Sequence, residues 1–146
     1  MALDENELTL IDHVGWRLWR LAREWKAAFD EKMLARGYPW VAEARGAVIG
    51  QLRPGGRPQS ELAGGLGISK QAVQQFVDEL VAEGAVERVA DPADARKSVV
   101  RLTARGRRFV ADGNKVKREI ERSYIRRIGK ERFSVLNAAL DELAKE

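Results

Sequence analysis

The stretch QSELAGGLGISKQAVQQFVDELVAEGAVERVADPADARKSVVRLT, residues 59–103, carries the pattern of two short helices, a tight turn and a β-ribbon with a charged tip. Helices fit residues 59–66 and 69–83, and β-like runs fit 85–90 and 98–102. When one short helix crosses closely over another, the first needs a small residue at the crossing. The turn needs a residue tolerant of positive φ, and the second helix needs a branched apolar plug. Ala63, Gly67 and Val73 meet these demands, the last two standing four and ten residues after the first. Leu62, Leu66, Ile68, Phe76, Val77 and Leu80 supply the rest of a small core. Ser69 stands where the second helix starts, and its hydroxyl can accept from the amide of Ala72.

Subtracting the buried positions leaves Ser69, Lys70, Gln71, Gln74, Gln75 and Asp78 facing outward. A helix with such a face fits a DNA major groove, where glutamine pairs with adenine N6 and N7 and lysine with guanine or phosphate. An ordinary solvated face carries the same residue types, but here the polar face and the turn spacing occur together. Between the β-runs, Asp91–Lys97 is polar and holds Pro92, as a hairpin tip does. Arg96, with Lys97 beside it, suits a narrow, electronegative minor groove, and Asp94 can brace the guanidinium. Alone, such a pair is a surface ion pair worth about 0–1 kcal/mol. Gly64 and Gly65 cost the first short helix roughly 2 kcal/mol of propensity together, for no reason visible in the sequence.

Upstream, Ile11, Val14, Leu18, Leu21, Trp25 and Ala28 form a helical stripe that predicts a long helix over residues 8–36, stopped by Gly37 and Pro39. It is longer than one small core needs, which fits a helix shared with a second copy of the chain. A weaker helix is expected over 41–53, ending before Pro54, with a break at RPGGRP, residues 53–58. Downstream, Thr103 is a candidate N-cap for a helix running to about Ile128, lined by Phe109, Val116, Ile120 and Tyr124. A last helix follows, lined by Phe133, Leu136, Leu140 and Leu143.

Composition narrows the chemistry. The 146 residues suit one domain, and there is no Cys, so disulfides, thiolate zinc sites and thiol sensing are excluded. With one His, no metal or cofactor site is expected. No long apolar run or signal pattern stands out, so a soluble cytoplasmic protein without membrane contact is expected. The net charge is +4, but residues 96–132 hold 14 Lys/Arg against 4 Asp/Glu. That asymmetry points to a polyanion, although a solvated Arg-rich helix face would produce it too.

The helix-turn-helix, the DxR at 94–96 and the LTxxG at 102–106 together resemble the winged helix of the MarR (multiple antibiotic resistance regulator) family. The resemblance covers about 50 residues closely, and the flanking helices agree in number and placement. It implies a mainly α fold with a small β-wing, in which 41–103 bind DNA and 1–38 and 104–146 build a dimerisation bundle. It implies a homodimer on double-stranded DNA, usually a repressor on a pseudo-palindromic operator. By the family pattern Arg96 enters the minor groove with Asp94 as its brace, and Ser69, Lys70, Gln71, Gln74 and Gln75 are recognition-helix contacts. Many such proteins release DNA when a small aromatic anion binds between bundle and winged helix.

The aromatics offer a place for that ligand. His13, Trp16, Arg17 and Arg20 share or border one side of the first helix, and Tyr38 and Trp40 follow its end. An aromatic wall with cations suits an aromatic carboxylate, while core and bundle packing is the commoner use of such rings. Two other functions compete with DNA reading. One is a winged-helix protein-interaction module that dimerises without reading DNA. The other is a small enzyme, for which neither a phosphate loop in strand–loop–helix context nor a Cys–His pair is present.

Overall fold

Gly67 makes the tight turn in the left-handed region, at φ 65, and its N–H donates to the Ala63 carbonyl. On one side of it lies helix α3, Gln59–Leu66, and on the other α4, Lys70–Ala82. The Ser69 hydroxyl caps α4 by accepting from the Ala72 amide at 3.0 Å. Val73, Val77 and Leu80 of α4 and Leu62 of α3 are buried. These are the branched plug and core positions the spacing predicts. The computed structural model describes residues 4–145.

Two strands follow α4. β2, Val86–Ala90, and β3, Ser98–Leu102, pair antiparallel with Val86 opposite Leu102 and Ala90 opposite Ser98. A short strand not foreseen in the sequence, β1 at Arg57–Pro58, pairs with the other edge of β3, so the sheet order is β1-β3-β2. Pro58 tolerates this place because an edge strand leaves its missing N–H unneeded.

Thr103 ties the wing to the next helix, α5, Ala104–Ile128. Its hydroxyl accepts from the Gly106 amide at 3.1 Å and donates back to the Gly84 carbonyl at 2.5 Å. Gly106 is buried, and a Cβ there would overlap the Ala85 carbonyl oxygen. The LTxxG pattern is thus a hinge in which the helix start touches the start of β2. After Gly129 the chain continues as α6, Lys130–Ala144.

The upstream elements differ from the sequence expectation at their ends. Helix α1 spans Val14–Ala35, beginning later than residue 8, because the His13 ring Nδ1 accepts from the Trp16 amide and caps it there. Glu5–Leu8 form a separate 3-10 turn. The helix expected over 41–53 reduces to α2, Gly46–Gly50, preceded by a 3-10 turn at Pro39–Ala42. A glycine at each end of α2 accounts for its brevity, since glycine lowers helix propensity by about 1 kcal/mol relative to alanine.

One core runs through both halves of the chain. It joins Met33 of α1 and Val116 and Ile120 of α5 to Trp40, Val48, Leu62, Val73, Leu80 and Val100 of the winged region. Tyr38 packs edge-on to Trp40 and Phe109 within it. The apolar stripe of α1 divides. Trp25 and Ala28 pack against this core, whereas Ile11, Val14, Leu18 and Leu21 are exposed. Leu136, Leu140 and Leu143 of α6 are exposed as well. Among the described residues no helix is long and apolar enough to cross a membrane.

Candidate nucleic-acid interface

The outer face of α4 and the wing tip border one cleft of about 530 Å³, lined in part by Lys70, Gln74, Arg88, Arg96 and Lys97. Ser69, Lys70, Gln71, Gln74 and Gln75 are all exposed. Gln75 donates from Nε2 to Glu79 at 3.2 Å, a bond along the helix surface. Gln74 is held more firmly, accepting from Gln59 Nε2 at 2.6 Å and donating to Asp78 at 3.1 Å. Arg88 of β2 reaches Asp78 at 2.6 Å and donates to Gln59 Oε1 at 2.8 Å. The Asp78 carboxyl is held below its ordinary range by the Arg88 and then the Gln74 hydrogen bonds.

The wing tip is built by its own backbone. The Asp91 amide donates to the Lys97 carbonyl, and the Lys97 amide donates to the Asp94 carbonyl at 3.0 Å. Asp94 then grips Arg96 with both oxygens, Oδ1 to Nε at 3.1 Å and Oδ2 to Nη2 at 3.2 Å. Oδ1 also accepts from the Arg96 amide. The Arg96 bonds, side chain first and backbone second, hold the Asp94 carboxyl below its usual value. The Arg96 side chain remains 90% exposed, so the guanidinium is oriented yet free to meet a partner. A fork–fork pair of this kind fixes direction rather than adding much stability on a surface.

The basic run after the wing does not all face the same way as the cleft. α5 is 25 residues long, so its far end lies roughly 35 Å along the helix from the wing. The first turn of α5 adjoins the far end of β3, where Arg107 donates to the Leu102 carbonyl at 3.2 Å. Arg126 and Arg127 sit at the opposite end, on the last turn of α5. The local excess of +10 in residues 96–132 is therefore spread along a rod and not gathered on one surface.

The expected ligand wall is not assembled. His13, Trp16, Arg17 and Arg20 lie at the start of α1, while Tyr38 and Trp40 follow its end, roughly 33 Å away along the 22-residue helix. His13 is engaged as a cap, Arg17 pairs with Asp12, and Trp16 stacks on Trp19 at 5.0 Å. Tyr38 and Trp40 are buried, with the Tyr38 hydroxyl donating to Asp112 at 2.7 Å. Helix periodicity had put four of these residues together, but nothing in it measures the length of α1 against a pocket.

A cavity of about 840 Å³ lies elsewhere, between α1, the segment around α2, and α5. Trp25 and Phe29, stacked at 5.3 Å, form one wall with Ile49, Leu52 and Phe109. Lys26, Arg53, Arg107 and Lys117 stand around it, with Glu43 as the acidic lining residue. The Lys117 ammonium sits over the Phe29 ring at 5.9 Å. Gln59, Arg88 and these cavity cations were not singled out in the sequence, because their partners lie far along the chain. Arg57 resolves half of the glycine pair in α3. It donates to Gln51 at 2.7 Å, and a Cβ on Gly65 would meet both side chains. Gly64 faces open space and has no such reason.

Comparison with known proteins agrees with this architecture. The MarR family model matches residues 47–97. No curated protein matches in sequence. A probable transcriptional regulator from Pseudomonas aeruginosa is 24% identical, with TM-score 0.68 over 90% of this chain and 97% of that one. The reduced form of MarR from E. coli is 19% identical, with TM-score 0.76 over 94% of this chain and 100% of that one. A mutant E. coli MarR complexed with operator DNA is 19% identical, with TM-score 0.70 over 90% and 94%. Residues 47–97 thus match the MarR family model, and the chain as a whole has the mainly helical, small-winged fold of these solved structures.

Proposed function

We propose that this chain reads double-stranded DNA as a homodimer and acts as a transcriptional repressor on a pseudo-palindromic operator. One observation carries the reading: a 90% exposed Arg96, oriented by both oxygens of Asp94, stands beside the polar face of a capped helix. Arginine so presented suits the minor groove, and the α4 face suits the adjacent major groove. The operator complex of the E. coli MarR mutant supports the use of this fold on DNA. Exposed Leu18, Leu21, Leu136 and Leu140 support a second copy as the cover for α1 and α6. In such a dimer the recognition helices stand about 34 Å apart, one turn of DNA.

A small aromatic carboxylate is the proposed effector, and its site moves from the α1 start to the cavity beside Trp25. The stacked rings offer an apolar slot and Arg53, Arg107 and Lys117 a counter-charge, Lys26 being paired with Asp30. Lying between the long helices and the segment leading into the winged helix, an occupied cavity would bias the angle between them.

Selection from random duplex DNA tests the main reading. Enrichment of an inverted repeat is expected, with binding that weakens steeply as salt rises. Failure to enrich any motif would favour the protein-interaction module instead. Arg96→Ala should cost about 1–3 kcal/mol of DNA affinity, and an unchanged affinity would refute the wing assignment. Salicylate-like compounds should quench Trp25 and weaken DNA binding, and a Trp25→Phe chain should lose the quench. No response in either assay would remove that ligand class.

A further inference from the structure

Helix α4 presents three glutamines, but they are not equivalent. At 3.6 residues per turn, and measured from the buried Val73, Gln71 and Gln75 point away from the core at about 160° and 200°. Gln74 lies at about 100°, on the flank turned toward α3 and β2. There it joins a closed ring of four side chains: Gln59, Gln74, Asp78 and Arg88. Donor and acceptor chemistry orients every member. Arg88 can only donate, so the Gln59 oxygen must face it, at 2.8 Å. The Gln59 amide nitrogen must then face the Gln74 oxygen, at 2.6 Å. The ionised Asp78 only accepts, so the Gln74 nitrogen faces it, at 3.1 Å. Both ends of the Gln74 amide are therefore engaged by neighbouring side chains at the surface.

Reading adenine through N6 and N7 needs a side-chain amide with both its donor and its acceptor free. The Gln71 side chain is exposed and makes no hydrogen bond among the described residues. Gln75 gives one surface bond to Glu79. Asp78 would place a negative charge on a face that approaches phosphates, and Arg88 cancels it across 2.6 Å. Arg88 belongs to β2, so the same ring ties the base of the wing to the recognition helix.

We infer that Gln71 is the specificity-determining glutamine, reading an A·T pair, and that the ring of Gln59, Gln74, Asp78 and Arg88 positions α4 against the wing without reading bases. This rests on the DNA-binding function proposed above. The test is motif selection from random duplex DNA with the full-length chain, Gln71→Ala and Gln74→Ala, each checked for unchanged helicity. Gln71→Ala should flatten the preference at one A·T pair in each half-site, a discrimination of about 5- to 150-fold. Gln74→Ala should keep the same motif. Arg88→Ala should weaken binding to all sequences alike, by untying the wing and by leaving the Asp78 charge uncancelled, and Asp78→Asn in that chain should restore only the charge-dependent part. A motif that changes with Gln74→Ala, or survives Gln71→Ala, overturns this assignment alone. No motif from the unaltered chain overturns the DNA-binding function together with it.

Discussion

Replacing Gly106 with alanine sets helix propensity against packing, and the two predict opposite signs. Gly106 sits in the first turn of α5, where alanine should gain about 1 kcal/mol. The added methyl would stand 3.0 Å from a Leu102 methyl and 3.1 Å from the Ala85 carbonyl carbon, and it would overlap the Ala85 oxygen. That oxygen belongs to a fully buried residue, accepts from the Thr103 amide at 3.2 Å and shares the Thr103 hydroxyl proton with the Gly84 carbonyl, at 3.1 Å. Backbone must move, because no flexible side-chain end is there to give way. Overpacking costs about 1–3 kcal/mol, and weakening two hydrogen bonds about 1 kcal/mol each. The net loss is then about 2–4 kcal/mol, or a fall in Tm of about 5–15 °C for a chain of this size. Thermal unfolding at matched protomer concentration measures it, since a dimer's Tm depends on concentration. DNA affinity should fall too, because the displaced carbonyl begins the wing. An alanine chain as stable as the original, or more so, would refute the close approach of α5 to β2.

The turn glycine makes a contrasting case. Gly67→Ala meets nothing within 4 Å but must hold φ 65, so only the left-handed strain of about 1–2 kcal/mol should appear in urea unfolding, and Gly67→Asn should lose less. The paired change Leu18→Glu with Leu136→Glu should shift the chain from dimer to monomer in sedimentation, and an unaltered dimer would place the interface elsewhere. Tyr38→Phe tests a pH-linked pair. Burial first, and then the bond to Asp112, raise the Tyr38 phenol above its ordinary 10.0, while the Tyr38 bond lowers Asp112 below 3.8. The phenol's contribution is complete below pH 10.0 and is lost as pH rises through the raised value. The carboxylate's is complete above 3.8 and is lost as pH falls through the lowered value. Tyr38→Phe should therefore be less stable than the parent at neutral pH, with the gap narrowing at both extremes.

The helix-turn-helix was legible because its demands are local: Ala63, Gly67 and Val73 sit within one short stretch. The Asp94 brace on Arg96 was legible for the same reason, spanning two residues. The ligand wall was not, since helical periodicity sorts residues by angle and ignores the rise that carries His13 far from Trp40. β1 was missed because two residues carry no alternation to read, and its pairing with Val99 and Val100 is a long-range contact.

By itself, the order of residues determined the winged helix-turn-helix from 59 to 103, its caps, and the exclusion of cysteine chemistry. Turn, cap and period are short-range physics, and they survive without knowing what packs where. Only the tertiary structure decided which outward residues are free. It committed Gln74 through Gln59 and Arg88, 15 residues before it on α3 and across the wing on β2, and left Gln71 unengaged. It also decided that the cationic cavity opens beside Trp25 and Phe29, where α1, α2 and α5 meet. Hydrogen-bond partners and cavities arise where distant segments converge, and one strand of sequence does not measure that convergence.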